Sequence, residues 1–307
     1  VSLVDYGGSF DEIDCETFAK KELRRLFVKL TPAYIGTNHT SVGDKIVSKH
    51  DGTPVGDLDN QTLRELRALI SKHFPEDFTI GEEDQKSEEE MRRILARKNQ
   101  RQWTIDGLDG TGNRRMGTLS FGAMVSLRLR DEILFAAIFR PADEECRGGG
   151  FFFAERGKGA WIWCDEHNEY ERLRTAREGK LERIVVMLEG SSKKFPRLQI
   201  AHLIGKVTTR SSFSTCVAAT SVAMGRASAF VSVENQPWDN WPAWLIIEEA
   251  GGIVTDQLGR RATPENCGNM LAAGNATDHA TLLNLLTDRE AILKFHEELL
   301  AKFLAEK

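Results

Sequence analysis

The apolar and polar positions fall into two regimes along the chain. From Asp11 to Leu30 the residues Ile13, Phe18, Leu23, Leu26, Phe27 and Leu30 share one helical face, with charges opposite. This predicts an amphipathic helix capped by Asp11 or Asp14. A polar, turn-rich stretch, 37–44, reads as a loop, and Asp51-Gly52 and Pro54 mark further turns. Asp59 opens a second amphipathic helix with Leu63, Leu66, Leu69 and Ile70 inward. Phe78–Ile80 is a short strand ending in Gly81-Glu82-Glu83-Asp84, and a charged helix runs from Lys86 to Gln100. The strand from Trp103 stops at Asp106-Gly-Leu-Asp109-Gly-Thr111. Phe121–Leu129 with Ile133–Phe139, and Gly150–Phe153 with Ala160–Trp163, read as hairpins. The first half is therefore helices plus an antiparallel sheet.

Beyond residue 180 strands alternate with helices. Strands are expected at Arg183–Leu188, Lys206–Thr209, Ser228–Ser232, Ile253–Thr255 and Met270–Ala273. Helices are expected at Ser214–Met224, at Asp239–Ala250 with Gly251-Gly252 as its stop, and from Asp278 onward. Alternation of this kind predicts a mainly parallel sheet with helices on its faces. The boundary is placed near 178–184, giving domains 1–181 and 182–307.

Composition narrows the function classes. Charged residues make up 28% and the net charge is −5, which disfavours nucleic acid as a partner. No apolar run is long enough to span a bilayer, and the N-terminus shows no basic-then-apolar signal. The five scattered cysteines include no Cys-x-x-Cys pair, so reduced thiols in a cytoplasmic protein are expected and zinc held by cysteine is not.

Glu82, Asp106, Asp109 and Asp239 each stand at the end of a predicted element, where a side chain can reach into a cleft. Each also fits a bland role, as a surface charge or helix cap. Together, carboxylates with no supporting histidine or cysteine point to Mg²⁺ or Mn²⁺, and their number to two or three ions. The Gly110-Thr111 turn opens a helix N-terminus, which suits an anion. Cation and anion at one point suggest phosphate chemistry, in which metal activates the attacking water.

Three segments carry a resemblance: Gly81-Glu82-Glu83, Asp106-Gly107-Leu108-Asp109-Gly110-Thr111, and Trp238-Asp239 followed by Glu249-Ala250-Gly251-Gly252. In order and spacing the chain resembles the inositol monophosphatase-like superfamily of metal-dependent, lithium-sensitive phosphatases, from about Asp11 to the strand at Met270. The resemblance implies a two-domain αβαβα sandwich with its site between the domains. It implies that Glu82 and Asp109 ligate a first ion, that Asp106 bridges, and that the Leu108 carbonyl adds a ligand. Thr111 with Glu82 orients the attacking water, backbone N–H groups of Gly110 and Thr111 hold phosphate, and Asp239 binds a second ion near the leaving group. Lys49 and Asp59 match the family's mobile loop and the element after it. Family members are often dimers, so a homodimer is expected.

The departures bear on substrate. The family's usual proline is Gly107, which is expected to loosen the turn. Gly112-Asn113-Arg114-Arg115 replaces an apolar continuation, and its arginines are open to an anionic group or to solvent. The inositol-specific branch has a glutamate seven residues before the last aspartate; here that position is Ser232, with Glu234 two residues on as a substitute. Ser191, Ser211 and Ser214 fall near the substrate side. The expected activity is hydrolysis of a small soluble phosphate ester: inositol phosphate, histidinol phosphate or a sugar phosphate. The alternatives are a 3′-phosphoadenosine bisphosphate nucleotidase or fructose-1,6-bisphosphatase-like enzyme, and, from another class, a non-catalytic regulatory protein on the same fold.

Overall fold

The computed structural model describes residues 14–35, 47–48, 54–55, 57–84, 86–142, 149–164, 169–176, 184–190 and 198–305. Asp11, the 37–44 loop, Lys49, Ser191 and the expected boundary after residue 181 lie outside them.

The first half contains α1 (Cys15–Thr17), which passes through a π-helical stretch into α2 (Arg24–Ile35), then a small β1 (Val47–Ser48) and β2 (Pro54–Val55) pair. It continues with α3 (Asp57–His73), β3 (Phe78–Gly81), a 3₁₀ turn at Glu82–Asp84, α4 (Glu88–Leu95), β4 (Gln102–Asp109) and α5 (Thr111–Arg115). The hairpin strands follow: β5 (Gly122–Leu129), β6 (Glu132–Arg140), β7 (Gly150–Glu155), β8 (Gly159–Cys164) and β9 (Glu169–Arg172). The second half holds β10 (Val185–Gly190), α6 (Leu198–Ile204), β11 (Thr208–Arg210), α7 (Thr215–Ala223), β12 (Ala229–Val233) and α8 (Pro237–Glu249). It closes with β13 (Ile253–Asp256), β14 (Met270–Ala273), α9 (Ala276–Thr287) and α10 (Arg289–Ala305).

Strands β3 to β9 form a seven-stranded sheet in chain order, antiparallel except for the parallel β3–β4 pair. The other sheet has five strands in the order β11-β10-β12-β14-β13. Its first three strands are parallel, and β14 and β13 add on antiparallel.

Alternation along the strands builds the layers. Ala123, Val125 and Leu127 of β5 join a core with Phe18, Phe27, Leu63 and Leu66 of the first helices. Met124 of β5 and Phe152 of β7 face the other way, onto α7 and α8, and the far side of those helices packs on Phe230, Met270 and Ala272. Val231 and Leu271 turn outward to α6 and α9. The result is five layers, αβαβα. Helix α8 lies between two sheets, and Trp241, Ala243, Trp244, Leu245, Ile246 and Ile247 are all buried, as an apolar-all-round sequence requires.

Several bounds differ from expectation for local reasons. The first helix continues past Leu30 through Pro32 because Tyr34 is buried and its hydroxyl donates to Gly107 O at 2.6 Å. Helix α4 starts after Ser87, which forms a capping box with Glu90. It ends by Ala96, where Gln102 Nε2 donates to the carbonyls of Ile94 and Arg97. Helix α8 begins two residues early, at Pro237, with Gln236 as its cap and Asp239 in its first turn. Strand β9 is a polar edge strand with no apolar signature.

Gly107 does more than loosen a turn. A Cβ there would lie 2.6 Å from the backbone carbonyl oxygen of Asp59, so β4 and the start of α3 meet at a distance only glycine allows. Gly107→Ala is expected to cost about 1–3 kcal/mol of stability by overpacking, measurable by denaturant unfolding against wild type.

Candidate metal and phosphate site

The site is built on the end of β4. The register between β4 and β5 shifts between Asp106 and Asp109. That irregularity interrupts the pleat and lets two acids three residues apart reach one place. Asp106 Oδ1 accepts the Leu108 N–H at 2.9 Å. Helix α8 brings the third acid from its first turn, in the layer between the sheets: Asp239 Oδ2 accepts the Gln236 N–H at 3.2 Å. Asp106, Asp109 and Asp239 each offer an oxygen, and these oxygens lie within 4.8 Å of one another.

Electrostatics mark the cluster as built for a cation. Burial pushes the Asp106 carboxyl well above the usual carboxylate range, and the charges of Glu82, Asp109, Asp239 and Asp59 push it further. Asp109 is also raised by burial, and hydrogen bonds from Ser214, Cys216 and Thr215 pull it partly back. Three acids at this spacing, two of them buried, cannot all be ionised without a compensating positive charge. An all-oxygen donor set fits a hard divalent cation.

The other expected residues fall around this centre. Glu82 lies in the 3₁₀ turn after β3, half-buried, and is the largest of the charges acting on Asp106. Trp238, next to Asp239, packs against the cluster of Ile80, Met91 and Ile94 that lies beside this turn. Gly110 has φ 83° and caps α5. Thr111 Oγ1 donates to the Leu108 carbonyl at 2.8 Å and stands 3.5 Å from Asp59 Oδ2. Asp59 is fully buried in the first turn of α3. Glu234 has φ 54°, and its N–H donates to Asn269 Oδ1.

Ser232 does not fit the expected substrate role. It is completely buried, and its hydroxyl oxygen accepts from Asn240 Nδ2 at 2.9 Å and Met270 N at 3.1 Å. The neutral residue at this position belongs to the fold.

Sequence reasoning placed Ser214 near the substrate side and did not find that it and the next two residues fasten Asp109. Ser214 Oγ donates to Asp109 Oδ2 at 2.6 Å, Cys216 N to the same oxygen at 2.7 Å, and Thr215 N to Oδ1 at 3.1 Å. The N-terminus of α7 thus clamps an acid carried by the other sheet. The available signal was Ser214 itself, an N-cap before an apolar run. Glu189, at the end of β10, is buried and accepts from Ser212 N at 2.6 Å, Ser212 Oγ at 2.7 Å and Ser211 Oγ at 3.3 Å. Asn113 Nδ2 donates to Ser120 O and Ser212 O, each at 2.6 Å.

The profile of the inositol monophosphatase family matches residues 14–291. The chain belongs to this family. It is 29% identical over 259 residues to a histidinol-phosphatase of Chlorobaculum parvum, spanning 83% of this chain and 90% of that protein. It is 30% identical over 200 residues to the Nus factor SuhB of Salmonella typhimurium, spanning 63% of this chain and 70% of that one. An IMPase of Thermotoga maritima has the same fold, with a TM-score of 0.68 at 23% identity over 89% of this chain and 98% of that chain. Family membership and the acid cluster make the chain a metal-dependent phosphomonoesterase. Among the described residues no helix is long and apolar enough to cross a membrane.

Glu189 gives the site a pH signature. Burial raises its carboxyl from 4.5 to about 7, against the pull of the Ser212 hydrogen bonds. The folded state then holds this proton more tightly than the unfolded chain. Its stabilising contribution is present below 4.5 and is lost as pH rises through about 7. The full loss is on the order of 3 kcal/mol. Glu189→Gln is expected to flatten the fall in melting temperature over that window, as followed by thermal denaturation at a series of pH values.

Proposed function

We propose that the enzyme hydrolyses a small soluble phosphate monoester with Mg²⁺, or Mn²⁺ in its place, as two or three ions held by Glu82, Asp106, Asp109, Asp239 and the Leu108 carbonyl. The observation that carries this reading is the convergence of three carboxylates within 4.8 Å at the start of α5. When bound, the cations supply Lewis acidity and a lowered pKa for a coordinated water. The chain's own residues do the positioning. The Thr111 hydroxyl spends its hydrogen on the Leu108 carbonyl, so its lone pairs are left to accept from the attacking water, with Glu82 as second acceptor. Gly110 and Thr111 N–H groups hold the phosphate, and Asp239 would position a water that gives its proton to the leaving oxygen. Asp109 is kept in place by α7, so the helical layer between the sheets sets the position of a ligand carried by the first sheet.

Histidinol phosphate is the substrate this reading favours over inositol phosphate or a sugar phosphate. A histidinol-phosphatase is among the relatives, and the buried Ser232 offers no carboxylate for a polyol, which leaves Glu234 as the one acid of this segment on the substrate side. Arg114 and Arg115, in the last turn of α5, keep a bisphosphate substrate as the nearest alternative. A homodimer in the cytoplasm, sensitive to lithium and free of nucleic-acid or membrane partners, completes the reading. So does a division into units 1–181 and 182–307, each built around one sheet. The relative named as a Nus factor supports a second reading, a regulatory role on the same fold.

The test is phosphate release from histidinol, inositol, sugar and nucleotide phosphates with Mg²⁺, with and without Li⁺. Activity is expected to vanish with EDTA and return with Mg²⁺, and inactivity across the panel removes the catalytic reading. Asp109→Asn and Asp239→Asn are each expected to lower kcat/KM by more than about a hundredfold, since loss of a residue behind a metal ligand already costs roughly 10–100-fold and these two are direct ligands. Circular dichroism is expected to show both variants folded, and full activity in both would defeat the site assignment.

A further inference from the structure

The segment joining β11 to α7 is fastened on three sides. Glu189 takes the Ser212 N–H, the Ser212 hydroxyl and the Ser211 hydroxyl. Asn113 Nδ2 donates to Ser212 O at 2.6 Å and Phe213 O at 3.2 Å. Ser214 bonds Asp109 directly. At the centre of this segment Phe213 has φ 53°, a left-handed conformation that bulky side chains rarely adopt. Its side chain is not buried in return: Phe213 is 70% exposed. Glycine is the ordinary residue for such a backbone, and an aromatic ring left in water forgoes its burial. Two unfavourable choices at one position, in a loop this firmly held and one residue from a bond to the acid cluster, are the pattern of a side chain kept for contact with a ligand.

The surroundings say which kind of ligand. The same Asn113 amide holds Ser120 O, so the turn after α5 is tied to the Phe213 segment, and that turn exposes Met116 (68%) and Leu119 (46%). Of the nearby carboxylates suited to hydroxyl groups, Glu189 is buried and committed to serines, and Glu234 sits on a backbone tied to Asn269. Ser232 is inside the core. An aromatic face gains from stacking on a flat ring, whereas a polyol laid against it loses hydrogen bonds to water.

We infer that Phe213 is a specificity-determining residue whose ring packs on the leaving group of the phosphate ester and selects an alcohol bearing a flat unsaturated ring over a polyol. The inference rests on the phosphomonoesterase reading above. Glu189 and Asn113 are the positioning residues that hold the ring beside the acid cluster.

The experiment measures kcat and KM of the full chain with Mg²⁺ for histidinol phosphate, which carries an imidazole, and for inositol 1-phosphate, which carries a polyol. It compares wild type with Phe213→Ala and Phe213→Tyr, and follows the mass of each variant by light scattering. Wild type is expected to prefer histidinol phosphate in kcat/KM. Phe213→Ala is expected to raise KM for histidinol phosphate by about tenfold, the order of one lost aromatic contact, with kcat and the inositol 1-phosphate constants within about twofold of wild type. Phe213→Tyr is expected to restore the low KM. Equal loss with both esters, no change with either, a wild-type preference for inositol 1-phosphate, or a changed mass that accounts for the effect overturns the inference and leaves the phosphatase reading standing. Wild-type inactivity with both esters overturns that reading and the inference with it.

Discussion

Three carboxylates crowded within 4.8 Å, two of them buried, form an arrangement that resists its own assembly. In the interior their repulsion is screened far less than in water. Each is therefore held by backbone donors from a different part of the chain: Asp106 by Leu108, Asp239 by Gln236, and Asp109 by the first N–H groups of α7. An ionised carboxylate has about four lone-pair sites, so even Asp109, with three donors, has capacity left for a cation. The fold accepts the cost of the cluster because the chemistry needs negative charge at one point.

That constraint explains the layering. Strand β4 ends at the acids, and α8 brings Asp239 to them from the layer between the sheets. A helix shared by two sheets is fixed on both faces, so Asp239 is delivered by a rigid element. The clamp from α7 makes the packing of the two sheets and the geometry of the acids one and the same variable. Phosphate chemistry here is a property of how the sheets meet.

Much of this was legible in the sequence, for identifiable reasons. Glu82, Asp106, Asp109 and Asp239 stood out because glycines and a proline punctuate the chain beside them, and element ends are where acids can leave the surface without entering the core. The layers were legible through the family resemblance, and the two kinds of sheet through hairpins in the first half and alternating strands and helices in the second. What escaped were relations across long stretches of chain. Nothing near Asp109 announces that its partners are Ser214 to Cys216, a hundred residues on. Glu189 looks like any acid ending a strand until its burial among serines is seen. Ser232 occupies a position that pattern matching assigns to substrate, and only the contacts with Asn240 and Met270 show that it serves the core. Strand β9 is polar because an edge strand has one side to cover, and apolar periodicity cannot find it.

The contact at Gly107 carries a consequence for how such a chain changes over time. The carbonyl of Asp59 occupies the space where any side chain at 107 would begin, and the Tyr34 hydroxyl closes on the Gly107 carbonyl. The start of α3 therefore lies against β4 with no room between them for a Cβ. The two segments are therefore coupled: any side chain at 107 requires the start of α3 to give way. A motif residue is thus constrained by a helix that is remote from it in sequence, and changing one asks for a change in the other.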